Sequence, residues 1–461
     1  MQSLEQSLPW KAMRSSSIAV AAAAAALALA GAAPGRGSAE PPQVVIDGAS
    51  AGAFSVVVRW HVDRAARVAI EYGTGSETQV WSKETVMAGP GAGATRLSAL
   101  QPGADYAFRV VAVSGRERSV SQGTVRTQPM PVTVWGRTIR DALVVNGQRF
   151  FPRMVFKQCP YAFNTSLAAG INLFMGTDCT TIPGQLNQLA GRALSVTAIE
   201  ARGTYGPGLV GWHQIDEADE RYLPEALPLV PSSAQTGRVT FLTLTNHFYS
   251  LAAPLPQGRD VYPAFVARAE MVGFDLYPLQ IWCRKSALHA VYDAQVELVA
   301  LAQGKPTFQW IEAAPMNQCY GLDPSPAIVR AETWLAIAGG ARGIGYFPDQ
   351  WRPDVRAEIG RINRDIMSLS AALLAEAGTA TVAAPSPVRV GIRRLNGAIY
   401  VIAVNPAFAR ASAKITVPGL DTRGLRRYAD GRWVTARNDV IRDYFRGLEV
   451  KIYVAPPPGL G

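Results

Sequence analysis

The sequence predicts an eight-stranded β/α barrel carried between two β-sandwiches. Eight short apolar runs separated by helical stretches occupy the middle of the chain, between Val132 and Glu376. Short alternating strands broken by Gly-rich turns fill residues 42–128 before it, and strand patterns return from Pro385 to about residue 458. At 461 residues, 48% hydrophobic and 17% charged, the chain can bury cores of that size and is no disordered polymer.

The first forty residues differ in kind from the rest. Lys11 and Arg14 precede an Ala/Leu/Val run from Ile18 to Ala33, with small residues at AxA-type positions beyond it. This is a signal-peptide pattern over residues 1–39, cleaved between Ala30 and Ala39, and it predicts a secreted protein, extracellular or periplasmic. The alternative is an uncleaved anchor, for which the run is shorter than the ~20 residues of a span.

In the leading sandwich, SVVVRW (Ser55 to Trp60) and ARVAIEYG (Ala66 to Gly73) alternate apolar and polar positions as half-buried strands do. The segment LSALQPGADYAFRVVAVSG, Leu97 to Gly115, resembles the tyrosine-corner region of fibronectin type III domains, with Tyr106 as the corner tyrosine. That likeness implies a module that spaces or packs on its neighbour. The same sandwich also resembles the leading domain of purple acid phosphatases, which would imply a metal-dependent phosphatase.

The eight barrel strands are read at Pro152 to Lys157, Asn172 to Met175, Ser195 to Glu200, Val210 to Ile215, Val239 to Thr245, Met271 to Leu276, Thr307 to Ile311 and Gly343 to Phe347. Helices are expected at Pro263 to Ala269, Ser286 to Ala302, Ala327 to Ala338 and Val355 to Glu376, where apolar residues recur at three- and four-residue intervals. The whole matches the usual barrel length of about 250 residues.

After Pro385, VRVGIRRLNGAIYVIAVNP, AKITVPG and LEVKIYVA read as a second sandwich. From Val388 onward 13 Lys and Arg face five Asp and Glu, whereas residues 40–387 are neutral in sum. This basic segment either holds an anionic cell-surface polymer or is a solvated Arg-rich face. Aromatic stacking motifs and folds that grip nucleic acid are missing, so no nucleic-acid partner is expected.

Reactive groups of a β/α barrel sit where strands end, because those ends converge on one face. Strand four runs into VGWHQIDEADE and strand seven into TFQWIEA, which bring Glu217, beside Asp216, and Glu312 to that face. Histidine is scarce, at His61, His213, His247 and His289, and the cysteines lack CxxC spacing. A metal-dependent hydrolase is therefore disfavoured, and no metal or organic cofactor is expected.

Two carboxylates at strand ends four and seven resemble the arrangement of clan A glycoside hydrolases, the 4/7 superfamily, over about residues 132–376. The resemblance implies a retaining glycosidase of polysaccharide or oligosaccharide, with Glu217 as acid/base and Glu312 as nucleophile about 5 to 5.5 Å apart. It further implies that Tyr277, in GFDLYP, orients the nucleophile and that His247 is a polar contact after strand five. Trp310 and Trp351 are the tryptophans expected to stack on sugar. The clan places Asn before the acid/base, where this chain has Asp216. Either Asp216 accepts a bond from the sugar hydroxyl, or Asp216 or Asp219 is itself the acid. That departure also admits a non-catalytic glycan-binding barrel. Among substrates, β-1,3-glucan is the first expectation.

The four cysteines follow strands one, two, six and seven, so the predicted disulfides are Cys159 to Cys179 and Cys283 to Cys319. Two other connectivities exist on arithmetic alone.

Overall fold

The computed structural model describes residues 40–75, 78–316 and 318–461; the expected signal segment lies outside them. Residues 41–461 form one compact unit. Among the described residues no helix is long and apolar enough to cross a membrane.

At its centre a closed barrel of eight parallel strands comprises Arg153–Phe156, Leu173–Met175, Leu194–Ala198, Leu209–His213, Val239–Leu244, Met271–Asp275, Thr307–Glu312 and Gly343–Phe347. Each pairs with the next, and Arg153 to Val155 pair with Ile344 to Tyr346 to shut the ring. All eight fall where the sequence placed them, to within two residues at each end. The third stops at Ala198 because a 3-10 turn, Ile199–Ala201, takes over, and the fourth stops at His213 before a turn that carries Gln214 to Glu217.

Strands buried on both faces read as unbroken apolar runs, which is why they were legible. Met154, Leu173, Leu194, Val210, Val239, Met271 and Phe308 fill the barrel interior. A three-stranded antiparallel sheet, Gly136–Ile139, Ala142–Val145 and Gln148–Phe150, adds Leu143, Val145 and Phe150 to the same cluster and closes the floor. The upper layer narrows around Trp310. A Cβ on Gly345 would lie 2.1 Å from its indole carbons, so only glycine lets the ring lie across the eighth strand.

The outer helices include His289–Ala302, Pro326–Gly339 and Pro353–Leu373. Pro326–Gly339 begins at the cap Ser325, whose hydroxyl accepts the Ile328 N–H, and ends at Gly340 with φ 117°. The last helix stops at Leu373 rather than Glu376, which opens the first strand of the C-terminal sheets, Glu376–Gly378.

Two antiparallel sheets make the leading sandwich: Val44–Ala51, Val56–Val62 and Gly91–Leu97 face a sheet centred on Ala66–Gly73 and Asp105–Ser114. Val56, Val58, Trp60 and Val62 point inward at the two-residue period of a half-buried strand. The Tyr106 hydroxyl accepts the Gln101 N–H at 3.0 Å and donates to the Met367 carbonyl at 3.3 Å, so the corner also touches the last barrel helix. Gln101 Oε1 accepts from both Arg153 and Asn172 of the barrel at 3.0 Å.

The C-terminal part pairs a six-stranded sheet with a three-stranded one, Thr381–Val382, Ala411–Thr416 and Val440–Phe445. Arg393, buried, donates to the carbonyls of Ile337 and Leu373 at the ends of two barrel helices, where a cation meets the helix dipole favourably.

Gly345→Ala is expected to overpack the barrel mouth and to lower unfolding free energy by about 1–3 kcal/mol. Urea denaturation checks this; a loss below about 0.5 kcal/mol would mean that Trp310 is not confined as described.

Candidate active site

Loops leaving the carboxyl ends of the barrel strands surround a cavity of about 510 Å³. Asp216 and Glu217 enter it after strand four, Thr245, Asn246 and His247 after strand five, and Asp275 and Tyr277 after strand six. Phe156, Trp310 and Phe347 supply aromatic wall, with Phe156 edge-on to Trp310 at 5.6 Å and Tyr277 stacked on Phe347 at 5.9 Å.

Three carboxyls meet here. Glu217 has left-handed backbone, φ 49° and ψ 42°, which a non-glycine residue adopts only where its surroundings hold it. Its carboxyl is in hydrogen-bonding contact with that of Asp275, and the Tyr277 hydroxyl donates to Asp275 Oδ1 at 3.1 Å. Burial, then the Glu217 contact, pushes Asp275 well above the ordinary carboxylate range. Two carboxyls in contact disfavour ionising together, and the raised one, Asp275, is the one that keeps its proton. Asp216 is pushed up to about 6 by burial and by the charge of Glu217, with Lys157 opposing. His213 lies beneath, its Nε2 2.9 Å from Thr243 Oγ1 and 4.0 Å from Asp216 Oδ1. Burial drives its pKa down to about 3, so it stands beside Asp216 as a neutral imidazole.

Two further acids lie close by but are sealed off. Asp219 is 0% exposed, its oxygens taken by the Thr245 N–H at 2.9 Å, the Thr245 hydroxyl at 2.5 Å and the Tyr262 hydroxyl at 2.9 Å. It fastens the strand-four loop to strand five and is not placed to donate a proton to substrate. Glu312 is also 0% exposed and does not line the cavity. Its oxygens accept the backbone N–H groups of Leu279 at 3.0 Å and Gln280 at 2.9 Å. Behind it Glu332, fully buried on the helix Pro326–Gly339, is raised well above the carboxylate range by burial and by the charge of Glu312. Glu332 thus keeps its proton and offers it to Glu312.

Of the expected pair, Glu217 lines the cavity and Glu312 is buried outside its lining. Trp310 points into the barrel, and alternation would send Glu312 the same way. The two amide donors of the strand-six loop instead draw its carboxylate into the wall. Tyr277 does bond an acid of the site, but the acid is Asp275. Trp310 lines the cavity, with its indole N–H on Thr243 Oγ1 at 3.2 Å. His247 lines it too, with Nδ1 2.6 Å from the Ala253 carbonyl. Trp351 does not: its N–H donates to the Pro348 carbonyl at 2.8 Å and its ring packs on Tyr346 in the outer core. Asp275 was overlooked in the sequence although it ends strand six, where a strand-end rule would have found it.

Both disulfides pair as expected, Cys159 with Cys179 and Cys283 with Cys319. The second ties the loop holding Ile281 to the loop holding Met316 and Gln318, all three of which face the cavity.

No family model and no curated protein matches the chain. Among solved structures it is similar to a GH30 endoxylanase from Clostridium papyrosolvens C71, with a TM-score of 0.42 and 10% identity over 70% of this chain and 98% of that one. It is also similar to a β-glucuronidase from Ruminococcus gnavus, with a TM-score of 0.36 and 11% identity over 71% and 68%. A third is β-glucuronidase 2 from Bacteroides uniformis, with a TM-score of 0.35 and 10% identity over 90% and 59%.

The buried pair sets a pH-dependent stability. Because the folded-state pKa of Glu332 is raised above its unfolded value of 4.5, the fold binds its proton more tightly. Stability from this group is full below that unfolded value and falls as pH rises toward the folded pKa, by about 1.4 kcal/mol per unit. Glu332→Gln should remove that decline, so urea midpoints of variant and wild type diverge in the variant's favour toward neutral pH. Parallel pH profiles would show that Glu332 is not a buried acid in the folded chain.

Proposed function

We propose that the chain is a glycoside hydrolase acting at this cavity on β-linked polysaccharide or oligosaccharide. The observation that carries the reading is the convergence of Asp216, Glu217 and Asp275 between aromatic walls. Glycosidic cleavage needs one carboxylic acid to protonate the leaving oxygen and one carboxylate to face the oxocarbenium charge that develops on the sugar. Asp216, with a pKa of about 6, holds a proton in mildly acid water and releases it readily, which is what a general acid requires. Glu217, held in contact with Asp275, is the carboxylate that faces the sugar. Trp310, Tyr277 and Phe347 offer apolar faces to a pyranose ring, and His247 offers a polar edge.

A double displacement through Glu217 and Glu312 is no part of this proposal. Glu312 acts as a positioning residue that holds the strand-six loop, and with it Tyr277 and Ile281, over the cavity. A β-1,3-glucan is the first substrate to test, followed by xylan and cellulose.

On the substrate that responds, kcat/KM should fall about tenfold per unit as pH rises above about 6, because Asp216 loses its proton there. Asp216→Asn should abolish that limb and cost about 100-fold or more, and Glu217→Gln and Asp275→Asn should cost at least as much. Glu312→Gln should raise KM more than it lowers kcat. Wild-type rates in Asp216→Asn and Asp275→Asn, with activity lost only in Glu312→Gln, would sink the assignment. Binding without turnover on every glycan tried would mean a glycan-binding barrel instead.

A further inference from the structure

On the small C-terminal sheet, Ala411–Thr416 pairs with Val440–Phe445 so that Ser412 faces Tyr444 and Lys414 faces Arg442. Ala413, Ile415, Ile441 and Phe445 turn into the core, which leaves the even-numbered positions outside. That outer face sets two cations directly opposite one another, an arrangement that costs stability in a sheet. Tyr444 stands beside them 81% exposed. Arg446 follows directly after the strand's last residue, Phe445, and is exposed as Arg442 is.

At the end of this row lies a cleft of about 760 Å³, which Tyr444 and Arg446 share with Arg410 and Arg432. Its acids are committed: Asp443 accepts from Tyr453 at 2.6 Å and lies 3.1 Å from Lys451, and Glu449 accepts the Arg446 N–H at 2.7 Å. Arg427 is likewise paired, with Asp430. By contrast the side chains of Arg410, Lys414, Arg442 and Arg446 have neither an ion pair nor a hydrogen bond among the described residues, while Arg432 lies within reach of the Asp430 charge. Four cations without a counter-charge around one exposed phenol make a surface short of negative charge.

We infer that this face binds an acidic polysaccharide, one that carries a carboxylate or sulfate on its sugars. Guanidinium forks match such groups in a bidentate fashion, and the Tyr444 ring gives a sugar face something to lie on. The choice of a glycan over other polyanions rests on the proposed hydrolase activity; the location rests on the sheet alone. Bound there, the polymer is anchored by a domain other than the one that cleaves it.

The test is affinity gel electrophoresis of the full chain through polygalacturonate, with dextran, an α-linked glucan, as neutral polymer and duplex DNA as a second polyanion. Wild type should be retarded by polygalacturonate, less so as salt rises, and not by dextran. Lys414→Ala/Arg442→Ala/Arg446→Ala should weaken binding about tenfold or more, and Tyr444→Ala should weaken it on polygalacturonate but not on DNA. No retardation of wild type, or equal retardation of the triple variant, overturns the site. Tyr444→Ala with unchanged glycan affinity, alongside tight DNA binding, overturns the glycan. Retardation that the triple variant loses, in a chain that hydrolyses no glycan, would uphold this site and reject the cavity chemistry instead.

Discussion

A carboxylate taken out of water survives only where donors replace the water it has lost, and that condition sorts the acids at this barrel mouth into two sets. Asp219 and Glu312 have their oxygens filled by backbone amides and hydroxyls, and both are wholly buried. Each binds a loop to its neighbour, strand four to five in one case and strand six to seven in the other. Asp216, Glu217 and Asp275 are held together at the cavity, and burial and one another's charge push Asp216 and Asp275 upward in pKa. The sealed acids thus fix the loops between which the raised acids of the cavity sit. The Cys283 to Cys319 bridge acts in the same direction, since it closes the loops that Glu312 joins.

The flanking sandwiches brace the barrel from outside the site, and they do so with buried polar contacts rather than apolar packing alone. Gln101 engages Arg153 and Asn172 at the base of the first two strands, and Arg393 caps two outer helices from the opposite side. Such contacts specify one docking angle, because a shifted domain would leave a buried guanidinium without acceptors. They also explain part of the basic C-terminal segment: Arg389, paired with Asp293, and Arg393 serve the interface, while Lys414, Arg442 and Arg446 remain outside.

Much of this was legible in the sequence, for a physical reason. Parallel strands covered on both faces must be apolar throughout, so all eight were found, and cysteines after adjacent strands paired as adjacency requires. Side-chain direction at the strand ends was not legible. Glu312 follows Trp310 at the interval that points inward, yet its donors come from Leu279 and Gln280, about thirty residues earlier, and no local pattern encodes that. A tryptophan near a strand end looks the same in sequence whether it faces the cavity or, as Trp351 does, packs on Tyr346. Asp275 is the opposite case: the strand-end rule already contained it, and attention to a glutamate pair passed over it.

The central claim is that reactive carboxylates lie at the ends of strands four and six rather than seven. An epoxyalkyl β-glycoside that enters the cavity is attacked by the nearest carboxylate, which opens the epoxide and leaves an ester that peptide mass spectrometry can place. Labelling should fall on Asp216, Glu217 or Asp275 and be blocked by competing oligosaccharide. A label on Glu312 would contradict the account, since it would show that this carboxylate reaches the cavity after all.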